Sequence, residues 1–135
     1  MAFYLVSYLV AAVLFLGMDA VWLTLAGPRL YRPELGPLLL DTYKLAPAAV
    51  FYLLYVIGIV IFAIQPAAAS GRWQTALLYG ALFGFFAYGT YDFTNLATLK
   101  GWSSLVSFVD LAWGTFATGV SAALAYAIVA AIFRN

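Results

Sequence analysis

The chain has 135 residues, of which 67% are hydrophobic and 8% charged, with a net charge of +1 and neither cysteine nor histidine. A soluble domain is about half apolar and about a quarter charged, so this chain lacks the polar side chains to cover a water-facing surface. The same composition excludes a disordered chain, a nucleic-acid binder and a disulfide-stapled module. Without histidine there is no usual zinc site, no Ser-His-Asp catalysis and no imidazole proton shuttle. With a mean hydropathy of +1.02, the sequence describes an all-α integral membrane protein.

A helix needs about 20 apolar residues to cross a bilayer, and four segments qualify. The first runs from about Phe3 to Ala26 and is expected to end at Gly27-Pro28. It lacks a basic leading region and carries Asp19 and Trp22 in its second half, so it reads as a retained helix rather than a signal peptide. The second runs from about Leu45 to Gln65, stopping before Pro66. The third runs from about Thr75 to Leu99, ahead of Lys100-Gly101, and the fourth from about Ser104 to Phe133, stopped by Arg134-Asn135. Residues 1–135 form a single bundle of four transmembrane helices with no linker.

The connections differ in character. Gly27 to Lys44 holds three prolines and the run Leu38-Leu39-Leu40, and is expected to lie along the membrane interface. Gln65 to Gln74 is a small-residue turn, and Lys100 to Ser103 closes an antiparallel helical hairpin. Trp73 and Trp102, beside Arg72 and Lys100, read as interface anchors. Arg29, Arg32, Lys44 and Lys100 fall on one side, Arg72 and Arg134 on the other, which favours both termini outside the cytoplasm.

Asp19, Asp92 and Asp110 are the ionisable acids inside the spans. Each costs about 2.5 to 3.5 kcal/mol at a helix centre. Asp19 lies nine residues before Pro28, Asp92 eight before Lys100, and Asp110 ten after Lys100. At a rise of 1.5 Å per residue all three sit roughly 12 to 15 Å below one surface, so the first, third and fourth helices can bring them to one point.

The residues around these acids repeat. Asp19-Ala-Val-Trp22-Leu-Thr24 and Asp110-Leu-Ala-Trp113-Gly-Thr115 both read D-x-x-W-x-T, and positions i and i+3 share a helix face, so each acid is expected to have its own helix's indole against it. On the third helix Tyr88, Asp92 and Asn95 share a face, with Tyr91 and Thr94 beside them, and Gly80 and Gly84 extend it as a notch that admits another backbone. Tyr52 and Tyr55 are the notable polar groups of the second helix.

The segments Gly17-Met18-Asp19-Ala-Val-Trp22-Leu23, Tyr88-Gly-Thr-Tyr91-Asp92-Phe-Thr94-Asn95-Leu-Ala-Thr98-Leu-Lys-Gly-Trp102 and Val109-Asp110-Leu-Ala-Trp113-Gly114 resemble a family of small bacterial membrane proteins catalogued as a domain of unknown function. The resemblance spans essentially the whole chain. It implies a four-span protein of the bacterial inner membrane and supplies no activity.

Three carboxylates in a low-dielectric interior cannot all be ionised without a counter-charge. Either they share protons, or a cation sits among them. Oxygen-only ligands suit Na⁺, Ca²⁺, Mg²⁺ or Mn²⁺, for which Asp19, Asp92 and Asp110 could serve as ligands. An organic cation suits the acids together with Trp22, Trp113 and Tyr91 as π-faces. The first functional reading is therefore proton- or cation-linked transport or ligand binding at Asp19, Asp92, Asp110, Asn95, Tyr88, Tyr91, Trp22, Trp113 and Thr94. Four helices make a narrow path, so a homodimer or larger membrane complex is the expected assembly, with lipids as the surrounding partner. A second reading is an accessory or lipid-binding protein whose acids bond the helices together. A third is an intramembrane enzyme using an aspartate pair on a lipid or isoprenoid. No nucleotide, phosphate or metal-histidine motif is present, and no cofactor is expected.

Overall fold

The computed structural model describes residues 1–134; Asn135, part of the expected stop signal, lies outside the described residues. Four long helical rods are present, one for each apolar segment. The first is α1 (Ala2–Ala26), followed without a break by a π-helical turn (Gly27–Tyr31), α2 (Arg32–Leu35) and a 3-10 turn (Gly36–Leu38). The second comprises α3 (Leu45–Ile59), a π-helical turn (Val60–Ile64) and α4 (Gln65–Ser70). The third is α5 (Trp73–Thr98) and the fourth α6 (Ser104–Phe133).

The first two rods overrun their expected ends, and the reason is the same in both. Proline breaks a helix because it lacks an N–H and its ring strikes the carbonyl one turn back. Here the chain restarts at each proline instead. Pro28, Pro33 and Pro37 each stand at the start of a new segment, where no intrahelical N–H is required. The π-helical turns ease the transitions: the N–H of Arg32 reaches back to the carbonyl of Gly27, and that of Gln65 to Val60. Each wide turn adds a residue and opens room beside a proline. The first connection is thus helical through Leu38, and its irregular part is confined to 39–44. Gly71 ends α4 at φ 71°, a left-handed cap.

The antiparallel α5–α6 hairpin is the spine. Gly101 turns it at φ 77°, and the Ser103 hydroxyl caps α6 by accepting the N–H of Val106 at 3.1 Å. The glycine notch does its expected work. A Cβ at Gly80 would stand 2.8 Å from that of Ala122, and one at Gly84 would run into the carbonyl of Gly114. Small residues along α6, including Ala117, Thr118, Ser121, Ala122 and Ala125, put this helix at the centre of the bundle. An aromatic layer joins α1, α3 and α5: Phe15 lies 5.1 Å from Tyr55, and Tyr55 stacks on Phe83 at 4.9 Å.

The exterior is apolar all round, with Val13, Leu54, Phe86 and Phe108 each more than half exposed. The rods Ala2–Leu38, Leu45–Ser70 and Ser104–Phe133 are long and apolar enough to cross a membrane. Helix α5 matches them in length, but its polar run from Tyr88 to Thr98 lowers its hydropathy. The architecture is a helical membrane bundle.

Candidate functional site

A cavity of about 390 Å³ opens at the end of the bundle crossed by the first connection. Asp19, Asp92 and Asp110 line it together with Tyr31, Tyr52, Tyr88 and Tyr91, the indoles of Trp22 and Trp102, and apolar residues such as Leu35 and Phe51. Among the described residues no arginine or lysine does. Phe51 of α3 and Tyr91 of α5 are 45% and 56% exposed, so the lining continues from the buried acids to residues at the surface of the bundle.

The three acids have unlike surroundings. Asp19 is buried and doubly held: the Tyr52 hydroxyl donates to its Oδ2, and the Trp113 indole donates to its Oδ1 at 3.1 Å. Asp110 accepts from the Tyr31 hydroxyl at 2.5 Å, and that hydroxyl accepts from the Trp22 indole at 2.9 Å. Asp92 is wholly buried, and neither of its carboxyl oxygens meets a donor. The Asp110 carboxyl, on the wall of the same cavity, is its neighbouring acid. Two carboxyls can bond each other when a proton lies between them, so this contact is complete only with a proton or another cation in place.

The repeated D-x-x-W element works in a way that spacing along one helix does not reveal. Trp22 does not bond Asp19, and Trp113 does not bond Asp110; each indole serves the acid of the other helix, Trp113 directly and Trp22 through Tyr31. Because α1 and α6 run antiparallel, as Phe3 against Phe133 also shows, the tryptophan three residues past one acid comes level with the acid of its neighbour. The two indoles meet between the acids, stacked at 4.6 Å with 7° between their planes.

Six of the nine residues expected at the site line the cavity, namely Asp19, Trp22, Tyr88, Tyr91, Asp92 and Asp110. Trp113 supports Asp19 from outside the lining. Asn95 stands beside Tyr91, outside the lining. Thr94 is exposed and contributes a main-chain carbonyl to Thr98. Among the described residues no three acids are grouped to hold a metal ion.

Three lining residues carried no sequence signal as site residues. Tyr31 was hidden by reading Gly27-Pro28 as a helix end. Tyr52 stood out only as a polar group of its helix. Trp102, expected at the interface, turns inward, packs edge-on against Tyr91 at 5.6 Å and donates to Ser107 at 3.1 Å.

Fold and cavity together define a helical membrane protein with an acidic, aromatic internal site. The chain belongs to the family described as Predicted membrane protein (DUF2177), whose pattern matches residues 4–127; the family's function is unknown. No curated protein and no solved structure matches the chain.

Proposed function

We propose that this protein binds a cation in exchange for a proton at the Asp92–Asp110 pair, and that this exchange drives proton- or cation-linked transport across the bacterial inner membrane. The observation that carries the reading is Asp92, a fully buried carboxyl with no donor, on the wall of a cavity without a basic residue. A buried acid normally has its lone pairs satisfied, and leaving one short costs about 1–3 kcal/mol. Neutral donors from neighbouring helices occupy both oxygens of Asp19, whereas Asp92 has none and needs a proton or another cation at its contact with Asp110. An occupant with positive charge or acidic protons accounts for it.

The basic residues of the first and third connections favour a cavity near the cytoplasmic face, with both termini on the other side. A second copy of the chain would complete the path that four helices leave narrow.

The test is proteoliposomes loaded with a pH-sensitive dye and given gradients of sodium, potassium, tetramethylammonium or 3-phenylpropylamine, with protein-free liposomes as the blank. The wild type moves protons in response to at least one cation, while Asp92→Asn moves none and keeps its thermal midpoint. Proton movement no greater than the blank, or equal movement by Asp92→Asn, overturns the transport reading.

A further inference from the structure

We propose that the ligand of this cavity is a primary amine bound as its ammonium, with the head group held by the Asp92–Asp110 pair in place of the proton they share and an apolar body running toward Phe51 and Tyr91. The inference deepens the cation-binding reading and rests on it. Its first support is the pair of donor-less oxygens on Asp92. They are acceptors, so a fitting ligand supplies N–H or O–H groups; a primary ammonium offers three such donors with a full charge, whereas a quaternary ammonium offers none. The second support is the wall. Tyr88, Tyr91, Trp22 and Trp102 present rings to the same space, and aromatic faces attract a cation within about 6 Å of the ring centre.

The third support is shape. The acids lie on the inner wall, while Phe51 and Tyr91 are half-exposed at the flank and Leu35 adds an apolar side. A molecule with its charge at the inner end and hydrocarbon at the outer end matches this gradient of polarity, and about 390 Å³ lies within the usual range for small-ligand sites. A bare metal ion would leave most of that volume and all of its aromatic lining unused.

The experiment titrates purified full-length protein in nanodiscs, following intrinsic tryptophan fluorescence, to which Trp22 and Trp102 of the cavity wall contribute. Three probes of one skeleton are compared: 3-phenylpropylamine, its trimethylammonium analogue and the neutral 3-phenyl-1-propanol. The amine binds at least tenfold more tightly than the alcohol and more tightly than the trimethylammonium analogue. Asp92→Asn lowers amine affinity at least tenfold. Tyr91→Leu, at an exposed position that does not hold the fold, lowers it about 3- to 10-fold. Equal binding of amine and alcohol overturns a charge-reading site. Tighter binding of the trimethylammonium analogue overturns the primary-amine assignment and leaves a cation site standing. If the amine does not bind, yet sodium or potassium drives Asp92-dependent proton movement in proteoliposomes, this inference fails and the transport reading stands. Tight amine binding without proton movement supports the ligand class and removes transport.

Discussion

Trp113 on the last helix donates its indole N–H to Asp19 on the first at 3.1 Å, while its ring stacks on Trp22. One side chain therefore both satisfies a buried acid and sets the distance between α1 and α6. Replacing Trp113 by Phe keeps an aromatic ring and removes the donor. The expected loss is about 1–3 kcal/mol, from leaving Asp19 one bond short, read as a lowered unfolding midpoint in an SDS titration. Trp113→Leu loses the stack as well and falls by about a further 0.5–1.5 kcal/mol.

Asp92→Asn should leave the fold intact. The amide can donate to the Asp110 carboxylate without an intervening proton, so the contact persists in a neutral–anionic form. The unfolding free energy is expected within about 0.5 kcal/mol of the wild type or above it, while any Asp92-dependent binding is lost. A large fall in the midpoint would show that Asp92 is chiefly a structural residue.

Close approach of α5 and α6 rests on glycine. A Cβ at Gly114 would overlap the ring of Tyr88, so Gly114→Ala should cost about 1–3 kcal/mol by overpacking and displace Tyr88 from the cavity wall. Gly17, also helical, has nothing within 4 Å of its would-be Cβ. Gly17→Ala is then neutral or stabilising by up to about 1 kcal/mol, because alanine is the better helix former. Thermal melts of the two variants side by side check the contrast.

Ser103 holds two elements with one hydroxyl. It caps α6 at Val106 and donates to Glu34 of α2 at 2.5 Å, tying the first connection to the α5–α6 turn. Ser103→Ala should cost about 0.5–2 kcal/mol through the lost cap. Glu34→Gln keeps the cap and an acceptor, and should stay within about 0.5 kcal/mol of the wild type. Equal losses in the two variants would show that the tie, not the cap, is what stabilises.

Much of the architecture was legible because its cause is local. The four rods follow from apolar run length, and the start of α6 follows from Ser103 and the apolar run beyond it. The acids announced themselves by cost, since a chain with so few charges had placed Asp19, Asp92 and Asp110 among apolar residues. The ends of the first two rods were not legible. Proline stops a regular α-helix, but a π-helical turn or a fresh segment start removes the clash, and whether the chain takes that route depends on what packs around it. Tyr31 was lost to view with that error.

By itself the sequence determined the membrane class, the helical spine and the identity of the three acids, because burial cost, run length and helix periodicity act within a single segment. Tertiary structure alone decided which acid has partners. Asp19 meets Trp113 across 94 positions of sequence and Asp110 meets Tyr31 across 79. Those pairings depend on the antiparallel register of α1 against α6 and on a π-helical turn that carries Tyr31 inward. The same packing buries Asp92 with no neighbouring side chain donating to it, and no spacing along one helix encodes that arrangement.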